Sequence, residues 1–375
     1  MSLLLDDPSV AQRILDHIDH KTTDLGATCW REPVANYRCE ERLKRELEHV
    51  FRRIATPFCP SAILSGPGSY VARAAAGVSL LAVRGADGCV RAFRNACRHR
   101  GAEVACRGVG RARAFVCPYH AWTYGLDGRL RSVPHEYGFP DLDKSTHGLV
   151  PVHRVEEHGG IVFVTQKPGA PSSEATTMLP ELLGSDLELV SHSENDSAAN
   201  WKIAAEAFLE GYHIRSTHRE TFYPVQFDNL NVIEHFGRNS RVTFPYRNVE
   251  KLREIEPAHR RLAGTATHVY HFFPNVMIAT FPKRIVMAIL EPRGIGATRT
   301  VTYVLASTAT LKAEGPAIAH DQDFVDRGAK EDRAIVESIQ RGLASGANDV
   351  FEFGRFEAAI VHFHRNLHDL LGVAA

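Results

Sequence analysis

The residues of this chain best suited to bind a metal stand in two short stretches, CRHRG at 97–101 and CPYHAW at 117–122. Each joins a cysteine to a histidine, with one residue between them in the first stretch and two in the second. Thiolate and imidazole are metal ligands, and a pair on one tight loop can converge without distorting the backbone. Two kinds of centre answer to Cys97, His99, Cys117 and His120. A tetrahedral zinc would take all four. A two-iron, two-sulfide cluster would take both cysteines on one iron and both histidines on the other, so each loop would serve each iron. The one-residue gap between Cys97 and His99 is unusual for a zinc knuckle, which more often reads Cys-x-x-Cys, and so favours the cluster. The chain has seven cysteines, an odd number scattered along its length, which is no disulfide framework.

A second group of ligand types lies downstream. The stretch NWKIAAEAFLEGYHIRSTH at 200–218 carries Glu206, Glu210, His213 and His218. On a helix Glu210 and His213 share a face, whereas His213 and His218 point about 140° apart. A common metal therefore requires a helix end, a distorted turn or a π-type bulge between them. On spacing alone, an amphipathic helix with incidental polar residues fits equally well. An oxygen-activating iron takes one carboxylate beside two histidines. The helical run AKEDRAIVESIQRGLASG at 329–346 offers Glu331, Asp332 and Glu337. Asp332 heads a stripe with Ile335, Val336 and Ile339, which places it at the edge of a core-facing surface. Glu331 and Glu337 fall off that stripe and are expected in solvent. Phe272, Phe273, Val276, Met277 and Ile278, in HFFPNVMIATF, either line an apolar pocket or form plain strand core.

The elements that must position these groups read in three regions. Residues 9–55 are helical in pattern, with EERLKRELEHVFRRI placing Leu43, Leu47 and Val50 or Phe51 on one face. From 60 to 165 come short β-like runs (SLLAVRG, CVRAF, AFVC, GGIVFV) parted by turn signals such as ADG and LDG. QKPGAPSSEATT at 166–177 reads as a linker or surface loop. Beyond it lie a helical pattern at 200–218, strands at 268–305 and a long helix at 320–343. An all-β module followed by an α+β domain is the economical arrangement. Forty-four basic residues balance forty-four acidic ones, so no net field draws in nucleic acid or an anionic membrane. MSLLLDDPSV carries acids where a signal peptide needs bases, and no run of eighteen apolar residues occurs. The cytoplasm is the expected compartment.

CRHRGAEVACRG and FVCPYHAWTYGLDGRL closely resemble the Rieske motif of ring-hydroxylating oxygenase α subunits. From about 30 to 365 the chain is similar to a Rieske non-haem iron oxygenase α subunit. The resemblance implies an α+β fold, with an all-β Rieske domain inserted after a helical N-terminus. An α+β helix-grip catalytic domain with an antiparallel sheet would follow. The expected boundaries are 1–44 for a helical segment packing with the catalytic domain, 45–165 for the Rieske domain and 166–375 for the catalytic domain. Cys97, His99, Cys117 and His120 would hold a Rieske 2Fe-2S cluster. The family's acid-x-x-His-x-x-x-x-His motif stands here as Glu210, His213 and His218, and EDRAIVESIQRGL resembles the segment that gives the third ligand, Asp332. These three ligands would hold mononuclear Fe(II). Glu210 would link His213 to the cluster histidine His120 of a neighbouring subunit in a homotrimer, with room for a β subunit.

The implied activity is that of a terminal oxygenase component. A reductase or ferredoxin would supply electrons, NAD(P)H acting only through the reductase, and O2 would be co-substrate. The product would be a hydroxylated or demethylated small molecule or a cis-dihydrodiol. The late segment looks most like the choline, glycine betaine and carnitine branch, whereas EGYHIRSTH resembles members filed with aromatic-acid dioxygenases. An aromatic substrate is expected, a quaternary ammonium compound the alternative. Two departures bear on the branch: Ala207 stands where Asn is frequent, and Glu210 where Asp is commoner. Two readings of other classes are a zinc-stabilised binding module without catalysis and a Rieske electron carrier without chemistry.

Overall fold

The computed structural model describes residues 4–169 and 182–372, except the side chains of 315–322, so most of the expected linker lies outside the described residues. The chain divides into two units, one holding the described residues of 51–192, the other residues 4–50 and 193–372. Among the described residues no helix is long and apolar enough to cross a membrane.

The first unit is built of short antiparallel strands. Ser69–Ala75 and Val78–Arg84 form a hairpin through Ala76 and Gly77, both at positive φ (50° and 75°). Two such residues give the turn a twist that matches the strands. Val90–Arg94 and Gly108–Arg111 complete a four-stranded sheet. Phe115–Val116, Thr123–Tyr124 and Leu130–Ser132 form a small second sheet, and Thr56–Pro60, Ile161–Thr165 and Arg154–His158 a third. Leu81, Val83, Phe93, Phe115, Trp122, Tyr124 and Leu130 pack into one apolar cluster that also contains Cys97 and Cys117. This cluster sets the two loops that carry the ligand-type residues.

In the second unit the strands from Val232–Phe236 through Asn239–Pro245, Ala266–Phe272, Val276–Thr280 and Ile285–Gly294 to Ala297–Ser307 follow one another as antiparallel neighbours. Phe272, Phe273, Val276, Met277 and Ile278 are all buried, none more than 3% exposed, so they are core in the sense of the plain strand reading. The helix Asp7–His20 starts at Asp6, whose side chain accepts from the Ser9 N–H, and buries Val10, Ala11 and Ile14. The long helix Thr308–Gly342 is capped by Ser307.

The single helical region expected over 9–55 is not continuous. After Asp7–His20 the chain forms a strand, Trp30–Pro33, paired with Val350–Phe353, then the short helices Ala35–Arg38 and Glu40–Arg45 and a π-helical turn Glu46–Phe51. The TTDLGATC segment carries no apolar period to sustain a helix. Leu43, Val50 and Phe51 are buried as the period requires, and so is Glu46. Its carboxylate accepts from Lys202 Nζ at 2.8 and 3.0 Å, from Trp201 Nε1 at 3.0 Å and from Arg42 Nε at 3.0 Å. A buried carboxylate is tolerable only when paired and hydrogen-bonded. Lys202→Met should therefore cost roughly 3–5 kcal/mol in denaturant unfolding. Combining it with Glu46→Gln should recover most of that loss, and equal instability of the single and double variants would show that the pairing is not the cause.

Candidate metal centres

The two loops of the first unit repeat one hydrogen-bond pattern. Cys97 N–H donates to the Ala102 carbonyl at 2.8 Å and Gly101 N–H to the Cys97 carbonyl at 2.9 Å. Cys117 N–H donates to the Trp122 carbonyl at 2.9 Å and Ala121 N–H to the Cys117 carbonyl at 2.9 Å. The fifth residue of each loop is left-handed, Gly101 at φ 84° and Ala121 at φ 55°, a conformation that suits glycine. Both thiols are buried, 4% and 3% exposed, whereas His99 is half-buried and His120 exposed. The two imidazoles lie 4.7 Å apart, and Trp122 stacks on His99 at 4.9 Å. Tyr124 Oη accepts from the Arg98 N–H at 2.9 Å and lies 3.2 Å from Cys97 Sγ. Burial, and then the Cys97 sulfur, hold this phenol well above its usual pKa.

These four donors form a dry sulfur end and a wet imidazole end. Among the described residues they do not give three ligand atoms within 4.8 Å of one another, unlike the group described next. A single zinc, with ligands about 2.0–2.3 Å away, would draw all four closer together. The spread suits a centre with two metals.

In the second unit the helical pattern over 200–218 is interrupted. Asn200 caps the helix Trp201–Glu206, the chain then turns, and a single helical turn runs Ile214–Thr217. His213 precedes that turn and His218 closes it. The break required for convergence is thus a pair of helix ends, and the π-helical turn lies elsewhere, at 46–51. His218 Nε2 is 2.9 Å from Asp332 Oδ1 and His213 Nε2 is 3.5 Å from the same atom. His213, His218 and Asp332 bring one ligand atom each within 4.8 Å of one another. Each outer imidazole nitrogen is engaged by a carboxylate. His213 Nδ1 contacts Glu210, which also accepts the His213 N–H at 3.2 Å. His218 Nδ1 lies 2.8 Å from Glu331, and Thr221 Oγ1 donates to the same oxygen at 2.5 Å. Burial alone would lower the His213 pKa, but hydrogen bonds to Asp332 and Glu210 raise it to about 10. Burial would likewise raise Asp332, yet its contacts with His213 and His218 hold it below the usual value. A field that retains a proton this strongly is one a divalent cation would answer.

Several side chains differ from expectation. Glu331 is not simply solvated: it fixes His218. Glu337 accepts from the Ala198 N–H at 3.0 Å and from Ser197 Oγ at 3.2 Å. Ile335 and Ile339 are exposed, at 44% and 38%, while Val336 and Leu343 are buried, so the stripe runs at a different angle. Glu206 takes Tyr37 Oη at 2.6 Å and His364 Nε2 at 2.8 Å, inside a buried network. Thr221 and Phe222 were not foreseen; their only signal is that they lie three and four residues beyond His218. The Phe222 ring lies 4.5 Å from His218 and 5.5 Å from Phe324. A side chain at Gly328 would meet the Phe222 ring at 2.3 Å, so glycine there lets the long helix approach. Phe222 and Phe324 wall a cavity of ≈ 480 Å³ that also meets Tyr246, Phe281, Arg247 and Arg284.

The Rieske [2Fe-2S] domain model matches residues 55–143 and the ring hydroxylating alpha subunit (catalytic domain) model residues 185–372. The carnitine monooxygenase oxygenase subunit of Acinetobacter pittii is 29% identical over 331 residues, 84% of this chain and 86% of that protein. The chloroplastic choline monooxygenase of Spinacia oleracea is 26% identical over 388 residues, 97% and 83% of the two chains. The large oxygenase component of the naphthalene 1,2-dioxygenase system of Pseudomonas aeruginosa is 37% identical over 191 residues, 48% of this chain and 42% of that protein. A quaternary ammonium Rieske monooxygenase solved with L-carnitine superposes with a TM-score of 0.76 at 25% identity, covering 91% of this chain and 95% of that one. The donor sets fit both cofactors that these domains carry, and the zinc reading gives way to them. The chain belongs to the Rieske oxygenases, as an α subunit with a Rieske 2Fe-2S cluster and a mononuclear iron.

Proposed function

We propose that in this chain, the terminal component of a Rieske oxygenase fed by a reductase or ferredoxin, Cys97, His99, Cys117 and His120 hold the cluster, that His213, His218 and Asp332 hold the iron, and that the enzyme acts on a small quaternary ammonium carboxylate. When bound, the iron supplies dioxygen activation and the cluster the electrons for it. The protein's own part is orientation. Glu331 and Thr221 fix the outer edge of His218, and Glu210 that of His213, leaving both Nε2 atoms facing Asp332. Such carboxylate partners set the tautomer and ring angle of a ligating histidine.

For the substrate, the relatives shift the balance from the aromatic expectation to the quaternary ammonium alternative, since those matching most of the chain include carnitine and choline monooxygenases. The cavity beside His218 refines this. Rings at Phe222 and Phe324 suit methylated nitrogen, because ring faces attract cations. Arg247 and Arg284 in the same cavity would repel a bare cation and favour a ligand that also carries a carboxylate. This pairing of rings with guanidiniums is the observation that carries the proposal. An aromatic carboxylate, the reading nearer the EGYHIRSTH text, fits the same rings and charges and is the second reading.

We further assign Glu210 to link His213 with His120 of a neighbouring copy in a homotrimer, a β subunit being optional. A carboxylate can accept a hydrogen bond from each imidazole. Exposed thiols at Cys29, Cys39, Cys89 and Cys106 support the reducing cytoplasm as the compartment.

Anaerobically reconstituted protein should contain three irons per chain, and Asp332→Ala two, with the Rieske absorption spectrum intact. Retained iron and turnover in Asp332→Ala, with loss in Glu331→Ala, would transfer the ligand role to Glu331. Glu210→Gln should keep cluster colour and iron but lose roughly 10- to 100-fold in turnover. Full turnover, or an active monomer, refutes the intersubunit link. Carnitine-type betaines and aromatic carboxylates should be compared by product mass with a surrogate reductase. Arg247→Ala should raise KM for the accepted carboxylate roughly tenfold or more, while choline, a cation without a carboxylate, should bind no worse. Turnover of aromatic acids alone selects the second reading.

A further inference from the structure

The chain as a whole is neutral, yet residues 51–169 carry 16 Lys and Arg against 8 Asp and Glu. Part of that excess lines one groove. A groove of ≈ 440 Å³ runs between the strand residues 90–93, the turn Asp127–Arg129 and the segment 148–155. Arg91, Arg129 and Arg154 line it with Asp127, and Arg91 is also paired with Asp87 at 2.7 Å, which leaves Arg129 and Arg154 as its most exposed cations. Arg129 is 80% exposed, and Arg154 and His153 are exposed as well. Its floor includes Phe93 and Leu149, which belong to the apolar cluster packed around Cys97 and Cys117. At its edge, beside Gly148, His147 meets the Trp122 ring at 6.5 Å, and Trp122 stacks on His99 at 4.9 Å with the planes 9° apart. A cationic groove is therefore joined by packed side chains to both kinds of cluster ligand.

We propose that this groove is the docking surface for an acidic ferredoxin-type electron donor, which delivers electrons to the cluster from this side. The cofactor's presence fixes the class of partner only as an electron donor; the groove adds its charge and its place of entry. One electron leaves the reduced plant-type cluster of the donor and enters the oxidised Rieske cluster, with no bond made or broken. The direction is downhill, because histidine ligation raises the Rieske potential above that of a plant-type centre. Complementary charge acts mainly on the rate of encounter, so its loss shows in the second-order rate and fades with salt.

The test is stopped-flow reduction of the intact, cluster-loaded protein by a dithionite-reduced acidic plant-type ferredoxin, followed at the Rieske absorption band. Arg129→Glu with Arg154→Glu should slow the second-order rate at least tenfold at low ionic strength and converge with wild type at high salt. Reduction by dithionite alone and the Rieske spectrum should stay unchanged. Arg253→Glu, in the other unit, should have no effect. An unchanged ferredoxin rate in the groove variant overturns the proposal. So does an equal slowing by Arg253→Glu, which would reflect net charge alone, or a selective slowing by Arg98→Glu with Arg100→Glu, which would move entry to the histidine tip. Tight retention of duplex DNA by wild type with no effect of the reversals on the ferredoxin rate would make the groove a nucleic-acid surface instead. Loss of the Rieske spectrum in Cys97→Ser and Cys117→Ser would be required by the ligand assignment but is independent of this result.

Discussion

Everything in the second unit turns on holding three carboxylates against two imidazoles in a partly buried space. Glu210 engages the outer nitrogen of His213, Glu331 that of His218, and Asp332 faces both inner nitrogens. Like charges so close repel one another unless cations or protons sit between them. The fold supplies the crowding from two directions, since the histidines come from the ends of one short helical turn and Glu331 and Asp332 from a helix more than a hundred residues later. The long helix can come this near because Gly328 leaves space for Phe222. A proton held on His213 between Asp332 and Glu210 balances part of this negative charge, and a divalent cation would do the same.

A separate polar system stabilises the same unit without facing the cavity. Glu46 with Lys202, Arg42 and Trp201, and Glu206 with Tyr37 and His364, tie the helix Trp201–Glu206 to the N-terminal segment and to the C-terminal helix. All six residues of that helix are buried. It leads directly into the turn bearing Glu210 and His213, so rigidity here fixes the position of groups several residues on.

The local parts of both proposed centres can be read in the sequence, because the ligand types lie within a few residues of one another on single loops. Cys97 with His99 and Cys117 with His120 are such parts, and so is the need for a break between His213 and His218. Contacts between distant segments cannot be. Adjacent helical residues point about 100° apart, and from spacing one member of the Glu331–Asp332 pair had to be the odd one out. In the structure the two straddle a single imidazole, one at each nitrogen. Ile335 and Ile339, in the stripe that Asp332 heads, prove exposed, so the helix does not bury the face that the sequence period marks. Glu46 lies on the apolar face with Leu43 and Val50, and its partner 156 positions away is what lets a carboxylate stand there. The overall charge balance concealed a basic first unit, since summing over a whole chain cancels opposite halves.

The unequal exposure within the first unit bears on how the protein is made. Cys97 and Cys117 are 4% and 3% exposed, under a roof that includes Trp122 and Tyr124, while His120 stands open. A scaffold protein carrying a preformed cluster could touch the imidazole end of the finished unit but not its sulfurs. Under the proposed ligand assignment, delivery would have to precede closure of the loops, or the loops would have to reopen for it. The inorganic core would then be a constituent around which this small β unit consolidates.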